Sequence, residues 1–508
     1  MLGRTGTALV IGVAALGTAW WVGAGTQTRP PSPRPRDLFL VRTHPPAPVT
    51  SVLAGTPQAV TEGVAQALFA VAPIVVAASA SHPADLASAV SRASRAHAPL
   101  LLLTSAQAGT EAGSAATLHT QLRALHPRTV LAVGVARSTL AAQLSGIHVV
   151  TSPAGLPVTR PPAPLGHVVL LVHQGDSSAA TTAAVATAHA AGARVITVRG
   201  YDPRADPAAI AALSAARPQQ VLAIGARFGP VSQLAYRVAV AATGVQLPGG
   251  GQILFPMHRL VALYGHPGDP ALGALGQQDL RASLARARKA ARPYRRLSSV
   301  PVIPAFEIIA AIAEAHPGPD GTYSYESPLS LLRPWVSAAT AARMYVVVDL
   351  QAGRANLLAQ AKRYEPLLKL PNVGLALDPE WKLGARQLPL HQIGSVSASQ
   401  INTVIHWLAS LTARHHLPQK LLVLHQFQLS MIGDEHRLDT RNGDLAIVIH
   451  MDGQGTPHDK QKTWNGVTNV APPGVFFGWK NFYTKDHPML GPRQALARTP
   501  EPVMISYQ

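Results

Sequence analysis

Ten polar side chains follow apolar segments in the second half of this sequence, at a regular spacing. They are Tyr264, His266, Glu307, Asp349, Gln351, Asp378, Glu380, His425, Asp452 and Lys480. Carboxylates, imidazoles and amines are the groups that transfer protons in enzymes and that bind polar ligands. If one fold brings these residues together, we expect them to form a carbohydrate site.

The segments that precede these residues predict a barrel. Eight apolar stretches lie at residues 259–264, 300–307, 344–349, 373–378, 420–425, 445–452, 475–480 and 503–508. Most of the stretches between them have helical patterns, and strands that alternate with helices indicate a parallel sheet. A run of eight predicts a closed (β/α)8 TIM-like barrel over residues 257–508, with its chemistry where the strands end. No helix is predicted after the last strand, so a helix at 231–241 is a candidate to cover that face.

The sequence Asp378-Pro379-Glu380 ends the fourth predicted strand. Side chains two residues apart on a strand point the same way, so both carboxylates can face one pocket. One carboxylate raises the pKa of its neighbour, which gives the acid and the anion that glycoside hydrolysis needs. The Asp-x-Glu pair is similar to the catalytic strand of family 18 chitinases and family 25 muramidases, although Gly374 and Ala376 replace the earlier aspartates of the longer chitinase motif.

That resemblance implies that Glu380 is the catalytic acid and that Asp378 tunes it or orients a substrate amide. Asp349, Glu307 and Asp452 are candidates for the second catalytic carboxylate. The alternative for each of them is a structural role, as a helix cap or as the partner of a basic side chain.

Other polar and aromatic residues near the strand ends are candidates for substrate binding. Aromatic faces stack on sugar rings, and Trp381 is the strongest candidate for such a contact. The other predicted substrate-binding residues are Tyr264, Gln351, His425, His450, Asp452 and Lys480. Phe427, Trp479 and Tyr507 lie near the same predicted rim, where ordinary barrel packing accounts better for Phe427 and Tyr507.

A metal-dependent hydrolase is an alternative reading of His266, His425, His450 and Asp452, because imidazoles and carboxylates at strand ends can hold a divalent ion. The His-x-His pair of many barrel metallohydrolases is absent from the first strand. No phosphate-binding glycine loop or Gly-x-Ser-x-Gly motif is present. We therefore expect no cofactor and no bound metal.

Two smaller α/β units are predicted before the barrel. Strand and helix patterns alternate over residues 37–156 and again over 165–248, which predicts doubly wound, Rossmann-like units. Proline-rich residues 152–164 separate the two units, and Gly249-Gly250-Gly251 marks a hinge before the barrel.

Two resemblances accompany this division. Val75-Val76-Ala77-Ala78-Ser79, Pro99-Leu100-Leu101-Leu102-Leu103-Thr104 and Thr129-Val130-Leu131-Ala132-Val133-Gly134 resemble the cell-wall-binding repeat type 2 family of Gram-positive surface proteins. That family attaches proteins to anionic wall polymers. Segments of the predicted barrel resemble uncharacterised secreted proteins of actinobacteria. Examples are Leu377-Asp378-Pro379-Glu380-Trp381 and Val448-Ile449-His450-Met451-Asp452-Gly453. This second resemblance implies no particular activity.

The N-terminus and the charge bear on location and partners. Residues 1–25 have a basic start and an apolar middle and predict a secretory signal peptide or an uncleaved signal anchor, and 26–36 form a proline-rich linker. The net charge of +18 suits an anionic wall polymer or lipid, whereas no aromatic–basic pattern indicates nucleic acid. Without cysteine the chain has no thiol chemistry and no acylation site for a lipoprotein.

The sequence therefore predicts an exported, cell-surface or wall-associated protein whose barrel binds a polysaccharide and hydrolyses it with strand-end carboxylates. Three alternatives stay open. They are a non-catalytic glycan-binding or scaffold protein, the metal-dependent hydrolase, and a solute receptor formed by the two N-terminal units. A membrane is expected to be a partner only through the N-terminal anchor.

Overall fold

The computed structural model describes residues 38–79, 82–103 and 115–508, with the side chains of residues 115–117 and 121 left out. The predicted signal segment 1–25 and the linker 26–36 lie outside the described residues. Within the described ranges, no helix combines the length and apolarity needed to cross a bilayer.

Eight parallel strands close into a barrel in the second half of the chain, as the sequence predicts. In chain order they are β1 (Arg259–Gly265), β2 (Val302–Ala313), β3 (Tyr345–Leu350), β4 (Val373–Leu377), β5 (Lys420–Gln426), β6 (Leu445–Met451), β7 (Phe476–Asn481) and β8 (Met504–Tyr507). Each strand pairs with the next, and β1 pairs with both β2 and β8, so the sheet has no open edge within the barrel. The short strand Ser324–Glu326 extends β2 as an antiparallel hairpin.

The barrel interior changes from apolar to polar along the strands. Near the strand starts it is filled by apolar side chains, among them Leu260, Ala262, Ile303, Val347, Leu421 and Val448. Further along the strands, the same inward face carries polar and charged side chains, such as Glu307, Asp349 and His425, because side chains alternate between the two faces of a strand. Gly478 makes room in this layer, since a Cβ there would lie 3.0 Å from Cγ of His450.

Helices cover the outside of the barrel. Their bounds are Leu280–Ala291, Leu329–Ala341, Leu357–Arg363, Glu365–Leu368, Ala398–Arg414, Pro457–Val470 and Pro492–Leu496. The longest begins at Ser397, whose side chain accepts from the backbone N–H of Gln400 in a capping box. It buries a stripe at helical spacing against the strands, made of Ile401, Val404, Ile405, Leu408 and Leu411.

Outside the last strand, a short turn takes the place of a covering helix. Tyr294, in the 3-10 turn Arg292–Arg296, is buried there, and its hydroxyl lies 2.6 Å from that of Tyr507 in β8. The helix expected to cover this face, Val231–Ala242, instead packs on strand Thr50–Leu53 and helix Pro207–Ala216. That expectation was wrong because this helix directs its apolar stripe, including Leu234 and Val238, into the core before the barrel.

Two four-stranded parallel sheets precede the barrel. In spatial order the first contains Leu100–Leu103, Ile74–Ser79, Thr129–Val133 and His148–Val150. The second contains Ala193–Val198, Leu165–His173, Gln220–Ile224 and Thr50–Leu53. Two small ribbons pair Leu38–Leu40 with Val158–Arg160 and Arg42–Thr43 with Phe69–Val71. Helices Pro57–Leu68, Pro83–Ala96, Ala115–Arg123, Arg137–Gln143 and Ala179–Ala190 lie with these sheets.

The two sheets share a core. The alanine-rich helix Ala179–Ala190 packs against Pro57–Leu68 and Pro83–Ala96, and its small side chains allow close approach. Thr50–Leu53 comes before every other strand of its sheet in sequence and pairs with Gln220–Ile224. The sequence analysis did not identify this strand, since its four residues are only half-buried and two of them are hydroxylic.

Buried polar contacts join the second sheet's unit to the start of the barrel. Arg204 is buried, forms an ion pair with Asp202, and reaches Asp444 just before β6 with a 3.3 Å ion pair. Gln419, just before β5, accepts from the backbone N–H of Leu254. These contacts are at the strand starts, so the opposite end of the barrel carries the site.

Candidate active site

A pocket of about 300 Å³ opens at the end of the barrel where the strands finish. Its lining includes Tyr264, Gln351, Asp378, Glu380, Trp381, Phe427, Asp452, Gln454, Lys480, Phe482, Lys485 and Gln508. Seven of these were predicted as catalytic or substrate-binding from the sequence, whereas Phe427, expected to be ordinary barrel packing, also borders the pocket. Active sites of parallel barrels form at this end because the loops after the strands converge there.

Glu380 lies in a turn rather than on a strand. β4 ends at Leu377, and Pro379–Trp381 form a 3-10 turn that begins at Asp378. The argument from strand alternation was therefore wrong, because proline at the first position of the turn fixes the backbone away from a strand path. Both carboxylates nonetheless line the pocket.

The backbone of Glu380 is held by a hydrogen bond from Gly394. The N–H of Gly394 donates to the carbonyl oxygen of Glu380 at 2.7 Å, and a Cβ on Gly394 would lie 2.6 Å from that oxygen. The long loop after the turn thus returns to fix the backbone of Glu380, a contact that no local sequence pattern predicts.

The Glu380 carboxyl is half-buried and makes no hydrogen bond or ion pair with any residue the structure describes. Burial, and then the negative charge of Asp452, raises its pKa to about 7. A carboxyl group with such a pKa holds its proton near neutrality and can donate it, which is the property of a general acid.

Asp378 is buried beneath Glu380, with 2% of its surface exposed. Burial raises the pKa of its carboxyl well above the usual range, and the Glu380 carboxylate raises it further. Its Oδ1 is buried without a hydrogen-bond partner among the described residues. In its neutral form Asp378 can therefore donate a hydrogen bond to a ligand.

His425 lies between two carboxylates, and we call Glu307, His425 and Asp452 the His425 cluster. Its Nε2 is 3.0 Å from Oε1 of Glu307, and its Nδ1 is 3.3 Å from Oδ2 of Asp452. Burial opposes protonation of the imidazole, but the Glu307 charge and the contacts with both carboxylates outweigh burial and raise its pKa well above 6.5. His425 is thus an imidazolium, with both nitrogens protonated.

Asp452 is the ionised carboxylate of the pocket. Burial opposes its ionisation, but the contact with His425 and the positive charges of His425 and Lys480 outweigh burial and hold its pKa below the usual range. Lys480 Nζ lies 3.9 Å from Oδ2 of Asp452 and 3.6 Å from the centre of the Tyr264 ring. Asp452 and Glu380 therefore face one pocket with pKa values moved in opposite directions.

Tyr264, Asp349 and Gln351 form a second buried network. The Tyr264 hydroxyl donates to Oδ2 of Asp349 at 2.8 Å, and Nε2 of Gln351 donates to that hydroxyl at 3.3 Å. Burial raises the pKa of the Asp349 carboxyl. Tyr264 and Gln351 line the pocket, whereas Asp349 and Glu307 are fully buried one layer below it. These two predicted catalytic residues thus do not border the cavity.

The histidines also lie below the pocket. His425 and His450 are fully buried and stack with ring centres 5.3 Å apart. His450 Nε2 is bonded to the Ser506 hydroxyl at 3.0 Å. Burial and the positive charge of His425 lower the pKa of His450 well below 6.5, so it is neutral. His266 bonds through Nδ1 to the Ile309 carbonyl and does not border the cavity.

Two of the predicted rim aromatics border the pocket, and two lie on the outer face of the barrel. Trp381 and Phe427 border the pocket. Trp479 does not, because it is on the outer face of β7 and packs against Trp464 with ring centres 5.6 Å apart. Tyr507 likewise points outward, to Tyr294. Strand alternation directs both away from the barrel axis, so the expectation that Trp479 lies at the rim was wrong, whereas Tyr507 is in barrel packing, the role preferred for it.

Among the polar and aromatic residues of the pocket, sequence reasoning missed Gln454, Phe482, Lys485 and Gln508. Phe482 and Gln508 come directly after β7 and β8 and continue the alternation that points every second side chain inward, and this alternation was the available signal. Gln454 and Lys485 are on loops, whose course no periodic pattern specifies.

Among the residues that the structure describes, no group of three His, Asp or Glu side chains has a geometry suited to a metal ion. His425 is bonded through Nε2 to Glu307 and contacts Asp452 through Nδ1, so neither ring nitrogen is free as a ligand. No observation therefore favours the metal-dependent alternative.

No family profile matches this chain, and neither the curated proteins nor the solved structures contain a significant match to it. The barrel and the pocket geometry define it as an α/β protein with a closed eight-stranded parallel barrel, and its function has to be inferred from the site.

Proposed function

We propose that this barrel binds a polysaccharide and hydrolyses its glycosidic bonds, with Glu380 as general acid and Asp452 as the carboxylate that acts on the sugar. One observation carries the proposal. Two carboxyl groups line one pocket, and their surroundings move their pKa values apart, to about 7 for Glu380 and below the usual range for Asp452. Such a divided pair is what acid-assisted glycoside cleavage requires.

In this mechanism Glu380 donates its proton to the departing glycosidic oxygen. The Asp452 anion stabilises the positive charge that develops on the sugar ring, either directly or by activating water. The departing oxygen leaves as a hydroxyl group, water supplies the second hydroxyl, and the remaining proton of that water passes to the Glu380–Asp452 pair, which restores the starting state. The His425 cluster keeps Asp452 ionised and fixed, so His425 is a positioning residue rather than a catalytic one.

The remaining pocket residues suit a sugar. Trp381 supplies an aromatic face for a pyranose ring. Neutral Asp378 supplies a donor, and Gln351 and Gln508 supply amides for hydroxyl groups. The pocket volume of about 300 Å³ is large enough for one or two sugar residues at most.

The proposal includes a location. We infer that the protein is exported through residues 1–25 and that its two N-terminal units, of the doubly wound and cell-wall-binding type, hold it to an anionic wall polymer. The net charge of +18 and the sequence pattern of residues 1–25 support this inference.

A non-catalytic glycan-binding barrel is the second candidate. The observation in its favour is that Glu307 and Asp452 are held by a buried imidazolium, as in a purely structural ion cluster. Glu380, which has no such partner, favours the enzyme.

The experiment that separates them measures reducing ends released from a panel of wall and extracellular polysaccharides. The parent protein, Glu380→Gln and Asp452→Asn are compared. Release by the parent and loss of release in both variants supports the enzyme. Binding by all three proteins without release supports the binder.

A further inference from the structure

Lys480 is a buried cation whose amino group reaches the pocket without a hydrogen-bonding partner. Its residue is 3% exposed, it borders the cavity, and none of the described residues accepts a hydrogen bond from its Nζ. The nearest carboxylate oxygen, Oδ2 of Asp452, is 3.9 Å away, beyond hydrogen-bond distance. The ammonium group thus has N–H donors available to whatever occupies the pocket.

Aromatic rings hold this ammonium in place. Nζ lies 3.6 Å from the centre of the Tyr264 ring and 5.3 Å from that of Phe482. The faces of aromatic rings attract cations but do not neutralise them. The Asp452 charge is in turn shared with His425 at 3.3 Å. Lys480 therefore balances the net negative charge of the His425 cluster, while its N–H donors stay open to the pocket.

The other acidic residues of the pocket, Asp378 and Glu380, favour their neutral forms. Asp378 and Glu380 have raised pKa values, because both are buried beside other carboxylates. Lys485 adds a second positive charge at the exposed edge of the same pocket. A ligand with an anionic group facing this wall would accept from the open donors of Lys480 and pair with the charge of Lys485.

We propose that the sugar bound in this pocket carries an anionic substituent, a carboxylate or a sulfate, and that Lys480 binds it, with Lys485 assisting at the pocket edge. This inference rests on the proposed glycan site, and it names the class of substrate as acidic polysaccharide. Lys480 and Lys485 are then specificity-determining residues, distinct from the acid and the anion that carry out cleavage.

The test is a binding measurement on matched polymers, independent of cleavage. Glu380→Gln is titrated calorimetrically with polygalacturonate and with the same polymer after reduction of its carboxylates to alcohols. A second pair is dextran sulfate and dextran, which distinguishes a sulfate from a carboxylate. We expect at least about a 10-fold preference for one anionic polymer over its neutral partner, the size of one charge-assisted contact.

Variants test whether Lys480 and Lys485 cause the preference for the anionic polymer. Lys480→Gln and, separately, Lys485→Gln in the same background are expected to reduce the preference. Lys462→Gln removes an equal charge from the exposed face of helix Pro457–Val470 and is expected to leave it unchanged. Lys485 is exposed, so its variant keeps the test valid if Lys480→Gln fails to fold.

Equal affinity for the anionic and neutral forms, no binding to either, or a preference that survives both pocket variants would overturn the inference. Cleavage is read separately on the parent protein. If the protein prefers the anionic polymer but releases no reducing ends, the inference about substrate charge holds and the proposed hydrolase activity is wrong. If it cleaves the neutral and anionic polymers equally, the hydrolase proposal holds and the inference about substrate charge is wrong.

Discussion

The Nδ1 atom of His425 lies 3.3 Å from Oδ2 of Asp452, while its Nε2 lies 3.0 Å from Oε1 of Glu307. This arrangement places one buried positive charge between two carboxylates directly below the pocket. It explains how Asp452 stays ionised in a setting where burial alone would favour its protonated form.

Replacing His425 by Gln is therefore expected to cost stability and to change the pKa of Asp452. Removing one partner of a buried ion cluster costs about 3–5 kcal/mol, because the carboxylates left behind are unpaired. Without the imidazolium the pKa of Asp452 rises, so the acid limb of the activity profile moves to higher pH. Urea denaturation and the pH dependence of kcat/KM measure the two effects.

His406→Gln is the matched control, because His406 is an exposed partner of Asp439 at 3.1 Å. An exposed pair contributes at most about 1 kcal/mol. If both histidine variants lose the same small amount of stability, the His425 cluster is not the ion cluster described above.

The raised pKa of Glu380 predicts the alkaline limit of activity. A general acid must be protonated, so kcat/KM is expected to fall as pH rises through about 7, the pKa of Glu380. The negative charge of Asp452 is part of the cause of that raised pKa. Carboxyl-carbon NMR titration of Asp452→Asn is thus expected to give a lower pKa for Glu380 than in the parent protein. An unchanged value would show that the two groups do not interact.

Asp378 predicts a dependence of stability on pH. Its pKa in the folded protein is above its unfolded value of about 3.9. The folded protein therefore holds a proton that the unfolded chain releases, and the free energy of unfolding decreases as pH rises from about 4 towards the folded-state pKa. Asp378→Asn removes this contribution, so the stability of the variant relative to the parent should increase between pH 5 and pH 7.5.

Thermal denaturation at the two pH values checks this prediction. Asp349 and Glu380 also have raised pKa values and leave some pH dependence in the variant. A difference between variant and parent that stays constant with pH would contradict a raised pKa at Asp378.

The sequence predicted much of this fold because the strands carry a strong periodic signal. All eight barrel segments and the inward residues at their ends follow from alternation, as at Tyr264 and Lys480. The same alternation does not tell how far below the pocket an inward side chain lies along the barrel axis. Glu307 and Asp349 were therefore expected at the pocket, and they lie one layer below it. Loop residues such as Lys485 depend on tertiary contacts that no local pattern encodes.

A buried ion pair fixes the end of β7, which carries Lys480, to the loop that follows it and begins with Phe482. Lys460 Nζ donates to Oδ2 of Asp486 and to the Lys480 carbonyl, both at 2.6 Å, and Asp486 also accepts from the N–H of Phe482. Asp486→Asn is expected to destabilise the protein by about 3–5 kcal/mol, since it leaves the Lys460 charge buried and unpaired.

The comparison for Asp486→Asn is Glu365→Gln, which breaks the exposed Glu365–Lys369 pair. That change is expected to cost about 0.5 kcal/mol or less. Chemical denaturation of both variants supplies the measurement, and equal losses would show that the buried pair does not hold this loop.

The central claim is that Glu380 protonates the leaving group, and the most direct measurement of it compares two leaving groups in Glu380→Gln. For a sugar found in the polysaccharide panel, hydrolysis of the natural linkage is measured beside hydrolysis of its dinitrophenyl glycoside, which departs without a proton. We predict a loss of about 10²–10⁴-fold on the natural linkage and little loss on the dinitrophenyl substrate. Equal losses on both substrates, or none on either, would contradict the account.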